Sequence, residues 1–347
     1  MSESIYRAGI IGLGFIGAAD QISGDRIGQR VTDLDGTHLT ALSGHPRIQL
    51  VAGSSRDEGR RQRFASRTDA RTYSDWAEML ANERLDLVSI ANCAPLHAET
   101  TVACAGHGVR AIYCEKPMAT RLADAERMVL ACKGAKTLLV INHNRRFNPN
   151  YRRLRAFVAS GGLGELTSAS LQWGAGRLAG TGTHMFDALQ MLTGRSVRFV
   201  SASLDMSGKP DCRGPEFKDP GGWGLLRLNG GIITTLDASD YGRTPARIIL
   251  NGTEGRALTG GADVGIEHWN GKTETWPSLR QQQTSMDHAV AEIVDALDGT
   301  ETFPYPVEDA VSAFETILAC HASHRRSSAW TELPLSAADR DIEVYAA

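Results

Sequence analysis

The chain has 347 residues, of which 42% are hydrophobic and 22% charged, and a formal net charge of −3. This is the composition of a soluble globular protein of about two domains, with no apolar run near the roughly 18 residues of a membrane span and no basic block to attract nucleic acid or an anionic membrane. Six cysteines without a CxxC pair and an N-terminus without a secretion signal exclude a zinc or disulfide framework and point to the cytoplasm.

In chain order, short apolar runs alternate with helical patterns over the first 150 residues. "RAGIIGLG", "IQLVAGSS", "LDLVSIAN", "RAIYCEKP" and "TLLVINHN" read as buried strands, with helices such as "SDWAEMLANER", "HAETTVACAGHG" and "RLADAERMVLACKG" between them. Such alternation implies a parallel, doubly wound α/β sheet. Beyond residue 150 the pattern changes to strands separated by Gly-rich turns, "LTSASLQWG", "VRFVSASLDMSG", "GWGLLRLNGGIITTLDASD" and "ARIILNGTEGRALTGG". That pattern predicts an α+β domain with a largely antiparallel open sheet. Helices return at "SMDHAVAEIVDALDG" and "VEDAVSAFETILACHASHR". The expected division is a dinucleotide-binding domain over 1–122 and a substrate-binding and oligomerisation domain over 123–347. The stretch from Met206 to Gly222 reads as a loop.

The first strand runs into Gly12-Leu13-Gly14-Phe15-Ile16-Gly17, a GxGxxG in the strand-to-helix setting that binds a dinucleotide. Gly12 permits the tight turn, Gly14 the approach of a pyrophosphate, and Gly17 close packing of the helix. The helix start offers unpaired N–H groups to phosphate. The next stretch, "AADQISGDRIGQRVTDLDG", reads as an insertion that lines the ligand mouth or makes a surface excursion. At the end of the second strand, where an acid would bind the ribose of NAD, stand Ser55 and Arg56 after Ser54. A hydroxyl and a guanidinium fork suit a 2′-phosphate, so NADP is expected in preference to NAD.

The segment "LAGTGTHMFDALQMLTG" reads as a helix with Thr183 as N-cap, Met185, Leu189 and Leu192 as its core stripe, and Gly194 as its stop. His184 and Asp187 then lie on a different face. A histidine in the first turn is kept neutral by the helix dipole and can accept a proton. Oxidation of an alcohol needs such a group, because the cofactor takes only the hydride.

The order GxGxxG, "ANCAPLH", "EKP" at Glu115-Lys116-Pro117, and then a Gly-rich segment with His184 and Asp187 resembles the glucose–fructose oxidoreductase/inositol dehydrogenase (Gfo/Idh/MocA) family over nearly the whole chain. The resemblance implies that Lys116 and His184 flank the nicotinamide and the reacting hydroxyl, and that Asn92, Pro95, His97 and Glu115 line the cofactor together with the loop residues. It implies a homodimer or homotetramer acting on a sugar, cyclitol or related polyol, with Asp187 binding substrate hydroxyls. Many relatives carry an aspartate four residues before the histidine. Here that place is Gly180, which leaves Asp187, His143 and Arg177 as candidates for its role. The function expected is NAD(P)-dependent interconversion of a hydroxyl and a carbonyl, without a metal. An NAD-dependent glycosidase of the same fold and a dinucleotide-sensing regulator are the alternatives.

Overall fold

A computed structural model describes residues 4–174, 176–207, 217–239, 244–279 and 282–345. Its first sheet consists of β1 (Tyr6–Ile11), β2 (Ile48–Ser54), β3 (Arg71–Tyr73), β4 (Leu87–Ile90), β5 (Ala111–Cys114) and β6 (Leu138–Ile141), in the order β3-β2-β1-β4-β5-β6. All its pairings are parallel. Every residue of β4 and of β5 is buried, which explains why these strands read as continuous apolar runs rather than alternating ones. Strand order reverses between β1 and β4, and ligands of open α/β sheets bind at the carboxyl ends beside such a reversal.

This sheet forms one compact unit with residues up to Ala119, Asp124–Asn144 and Gln283–Glu308. The remainder, Thr120–Ala123, Arg145–Gln282 and the chain from Asp309, forms a second. The chain therefore passes between the units several times, not once at the expected 122/123 boundary. The helix Ser285–Asp298 belongs to the first unit because it packs on the helix His38–Gly44. Asp35 ties down its first turn by accepting bonds from the Ser285 N–H (3.1 Å) and hydroxyl (2.5 Å).

Among the described residues the second unit's sheet has nine strands: β7 (Leu166–Gln172), β8 (Val197–Leu204), β9 (Gly222–Leu228), β10 (Ile233–Ala238), β11 (Arg247–Gly252), β12 (Gly255–Gly260), β13 (Asp263–His268), β14 (Thr273–Trp276) and β15 (Thr331–Glu332). They lie in the order β14-β13-β12-β11-β7-β10-β9-β8-β15, antiparallel except for the β7–β10 pair. Burial alternates along them, with Leu226 and Leu228, Ile248 and Leu250, and Val264 and Ile266 on the core side. Of the stretch 206–222 expected as a loop, residues 208–216 lie outside the described ones, as does Cys212.

The helix Gly182–Thr193 begins earlier than expected. Thr181 is its N-cap and Thr183 lies inside it, buried. Met185, Leu189 and Leu192 are buried as expected, and Gly194 ends the helix at φ 63°. Phe186, Ala188 and Met191 are buried as well, so the helix is enclosed on most sides. Asp187 is 0% exposed, and the Arg146 Nε donates to both its carboxylate oxygens at 2.9 and 2.8 Å. Arg146 reaches Asp309 with Nη1 at 3.0 Å. Removing one partner of a buried ion pair leaves a charge without compensation. Asp187→Ala is therefore expected to lower unfolding stability by about 3 kcal/mol, read from the urea midpoint, while Asp309→Ala, at the half-exposed end of the same cation, costs less than half as much.

Candidate active site

The glycine loop lies beside the turn that follows β4. Gly12 has φ 101°, and a Cβ there would fall 2.4 Å from the Ala91 carbonyl carbon and 2.5 Å from the Asn92 nitrogen. No side chain fits at this approach. A Cβ on Gly17 would lie 1.9 Å from the Gly12 oxygen, so the helix can follow the strand closely only because it is glycine. Around Gly14 the nearest atom is Arg60 Nη1, 3.6 Å from that imaginary Cβ. The loop thus leaves backbone room with a guanidinium at its edge. Phe15 and Ile16, half-buried, begin a single helical turn that Ala19 closes in the left-handed conformation at φ 51°.

The insertion comes to this same edge. Asp20 is buried and accepts two bonds from Arg63 at 2.7 and 2.9 Å and one from Ser23 at 2.5 Å. Ser23 in turn accepts from Arg60 Nε at 3.0 Å. Arg60, whose position on the helix Glu58–Ala65 suggests a solvated charge, is thereby held against Gly14. Ser54 is buried and meets the loop through its carbonyl, which accepts from Gly12 N at 2.9 Å. Ser55 is half-buried and Arg56 exposed. Arg61 Nη1 donates to the Ser55 and Arg56 carbonyls at 2.6 and 3.1 Å and holds that turn. The nearby acid, Asp57, caps the helix by accepting from Arg60 N at 2.9 Å.

Behind Lys116 lies a buried polar cluster. Glu115 is 7% exposed, and its Oε1 faces His38 Nε2 at 3.1 Å and accepts from Asn142 Nδ2 at 2.6 Å. His38 Nδ1 pairs with Ser89 Oγ at 3.0 Å, and Tyr113 donates to Asn142 Oδ1 at 2.7 Å. Burial alone would raise the Glu115 pKa. The hydrogen bond and charge of His38, the charge of Lys116 and the Asn142 bond outweigh it and hold the carboxyl at about 2. His38 is the residue that sequence reasoning passed over. Its only signal is a polar residue on the buried face of a helix otherwise lined by Leu39, Ala41 and Leu42. His97, also buried, faces the Pro117 carbonyl with Nδ1 (2.9 Å) and the Asn92 carbonyl with Nε2 (3.1 Å), so it bridges the "ANCAPLH" and "EKP" turns. Burial lowers its pKa against the pull of those two carbonyls. Pro95 lies in the short turn Ala94–Leu96 and His143 is buried directly after Asn142.

These residues leave one buried polar atom for a dinucleotide to satisfy. Asn92 Nδ2 donates to Thr100 at 3.0 Å, but its Oδ1 is buried with no partner among the described residues. A buried acceptor of this kind is satisfied by a bound donor. Together with the open backbone at Gly14, it fits the cofactor that the loop predicts.

In the second unit, the backbone from Gly176 to Gly182 wraps around Trp173, which packs edge-on against Phe186 at 6.3 Å. A Cβ on Gly182 would lie 3.0 Å from the indole. Arg177 is in the left-handed region at φ 55°. His184 stands half-buried in the first turn, with its N–H on the Thr181 carbonyl at 3.1 Å. Of the residues expected to bind substrate here, Arg177 and His184 reach solvent, while Asp187 is enclosed by Arg146.

A carboxylate held at about 2 contributes stability above its unfolded value near 4.3 and loses it as pH falls toward 2. Glu115→Gln is expected to remove on the order of 3 kcal/mol of unfolding free energy at pH 7 and to flatten its decline between pH 5 and pH 3 in urea titrations. An unchanged acid limb would show that Glu115 is not the group responsible.

Residues 6–143 match the family model described as an oxidoreductase family with an NAD-binding Rossmann fold, GFO_IDH_MocA. Inositol 2-dehydrogenase 2 of Saccharopolyspora erythraea is 28% identical over 241 residues, 66% of this chain and 65% of that one. D-apiose dehydrogenase of Paraburkholderia graminis is 37% identical over 132 residues, 38% of this chain and 32% of that one. The chain thus spans less than two thirds of the length of these curated relatives. Two solved structures share the fold: the WlbA dehydrogenase from Bordetella pertussis in complex with NADH and UDP-GlcNAcA (TM-score 0.77, 21% identity, covering 97% of this chain and 100% of that one) and an inositol dehydrogenase homolog from Azotobacter vinelandii complexed with NADH and myo-inositol (TM-score 0.78, 16% identity, 95% and 98%). The parallel sheet, the glycine loop and the EKP turn all lie within this matched stretch, so residues 6–143 are similar to the NAD-binding Rossmann unit of that oxidoreductase family.

Proposed function

We propose that this protein interconverts a hydroxyl and a carbonyl on a sugar, cyclitol or related polyol, using NADP in preference to NAD. The observation that carries the reading is Lys116 at the carboxyl end of β5, in the same sheet end as the glycine loop, with a buried ionised carboxylate immediately before it. When bound, the nicotinamide supplies the hydride acceptor or donor. Lys116 places an ammonium on the reacting oxygen and stabilises its alkoxide character. His184 takes or returns the hydroxyl proton from the first turn of its helix. Asp187, held by Arg146, fixes the helix that carries His184. The relatives named as inositol and apiose dehydrogenases support the substrate class.

Ser55 and Arg56 would meet a 2′-phosphate at the end of β2, while the neighbouring Asp57 engages the Arg60 N–H as its helix cap. In the assembly we infer, copies join as a homodimer or homotetramer through the open face of the second sheet, where Trp223 and Leu225 are 46% and 40% exposed. Light scattering at micromolar concentration reads that state directly.

A panel of sugars and cyclitols with NAD and NADP, followed by reduced-nicotinamide absorbance, tests the reaction. Turnover of at least one polyol is expected, and silence across the panel with tight dinucleotide binding would point to a sensor instead. His184→Ala is expected to lower kcat roughly 100-fold or more with dinucleotide affinity unchanged. Arg56→Ala is expected to weaken NADPH binding roughly tenfold and NADH binding little, as read by nucleotide fluorescence. Equal loss for both cofactors would remove the case for NADP.

A further inference from the structure

The insertion after the glycine loop is packed into that loop rather than laid over it, and all the residues concerned belong to the first unit. The helix that opens at Phe15 stops after one turn, at Ala18. The Asp20 N–H then returns to the Gly14 carbonyl at 3.4 Å, beside the Ala18 N–H at 2.9 Å. Gly24 lies against the Phe15 ring: a Cβ there would fall 2.7 Å from two ring carbons and 2.7 Å from the Gln29 carbonyl oxygen. A long helix after such a loop sums its peptide dipoles and offers partial positive charge to a phosphate. A single turn sums few of them. The positive charge at this loop comes from a side chain instead. Chain neighbours aside, the only atoms within 4 Å of a Cβ built on Gly14 belong to the Arg60 guanidinium, Nη1 at 3.6 Å and Cζ at 3.7 Å.

The two acids in this bonding network are engaged elsewhere. Burial pushes the Asp20 carboxyl up, but the bonds from Arg63 and Ser23 and the charge of Arg63 hold it below the ordinary carboxylate range. Asp57 accepts the Arg60 backbone N–H at 2.9 Å. The Arg60 side chain is held through Nε alone, by the Ser23 hydroxyl at 3.0 Å. Ser23 gives its own proton to Asp20, so a lone pair is left facing Arg60. The buried acid thus orients the serine, and the serine orients the guanidinium. Among the described residues neither Nη1 nor Nη2 of Arg60 donates to a protein acceptor. A guanidinium fixed at Nε presents that pair as a planar fork, the geometry that suits a phosphate.

We infer that the insertion belongs to the dinucleotide site: Arg60 takes a phosphate of the cofactor at Gly14, and Ser23, oriented by Asp20, is the positioning residue that aims its guanidinium. This rests on the dinucleotide binding in the function proposed above and not on its polyol. Two groups of the cofactor carry the same chemistry, the diphosphate common to NAD and NADP and the 2′-phosphate of NADP alone.

The test titrates NADH and NADPH into the full chain by nucleotide fluorescence, without a polyol, at low and high salt. Arg60→Ala is expected to raise Kd roughly tenfold or more and to flatten its salt dependence. Loss for both nucleotides alike assigns Arg60 to the diphosphate, and loss for NADPH alone assigns it to the 2′-phosphate. Ser23→Ala is expected to raise Kd about threefold with the same nucleotide preference, and to add little in the Arg60→Ala background, because the two residues act as one. Arg60→Lys keeps the charge without the Nε bond. It is expected to bind with intermediate affinity and to be insensitive to Ser23→Ala, which keeps the test intact if Arg60→Ala does not fold. Unchanged affinity for both nucleotides in Arg60→Ala would overturn the phosphate contact. A Ser23→Ala loss retained in full in the Arg60 variants would overturn the positioning role. Silence toward polyols with this binding pattern intact would count against the proposed reaction alone, whereas a wild type that binds neither nucleotide would overturn the inference itself.

Discussion

Glu115 is an ionised group with almost no access to water, and the ligand end of the first sheet is organised around that fact. An isolated buried carboxylate would take up a proton. Here one oxygen is shared by an imidazole from the helix His38–Gly44 and an amide that follows β6, with the Lys116 ammonium next in sequence. His38 also engages β4 through Ser89, and Asn142 engages β5 through Tyr113. Three strand ends and a helix are thus tied to one charge. The turn that presents Lys116 inherits its position from these bonds.

Close backbone approach is the second constraint, and it works where no hydrogen bond could. The loop after β1 and the turn after β4 meet at Gly12, where a Cβ would lie inside the neighbouring peptide. The topology makes them neighbours, since β1 and β4 flank the reversal of strand order. The insertion adds a charge relay to this edge. Asp20, Ser23, Arg63 and Arg60 form one chain of bonds, which ends with a guanidinium beside Gly14. Of its two readings, a lining for the ligand mouth or a surface excursion, this placement at the glycine loop supports the first.

In the second unit two acidic residues are placed differently. Asp187, three residues from His184, is buried against Arg146 and secures the helix. Asp219, thirty-nine residues from the backbone amide of Gly180 that it accepts, is half-buried at the helix start. Sequence proximity favoured the first as a substrate ligand. Burial weighs against that reading, because a carboxylate whose lone pairs are taken by a buried guanidinium has little left to offer a hydroxyl.

The sequence by itself determined the alternation of strands and helices, the parallel sheet, the glycine loop, the EKP turn and the helix that ends at Gly194. Each of these is a local matter: apolar period, turn chemistry and the freedom of glycine act within a few residues. The short β3 was invisible because Arg71–Tyr73 has no apolar signal, and the β13–β14 hairpin was not read either, although Asn270-Gly271, with Gly271 at φ 89°, marks its turn. The N-cap of the 182–193 helix moved from Thr183 to Thr181 because Gly182 packs under Trp173 and joins the helix. Only the tertiary structure decided that His38 holds Glu115, that Arg60 reaches Gly14, that Asp187 is enclosed and that Asp219 stands at Gly180. These pairings join residues 39 to 77 positions apart. Whether a charge is partnered, buried or presented depends on which distant atoms the packing brings to it, and no spacing along the chain encodes that.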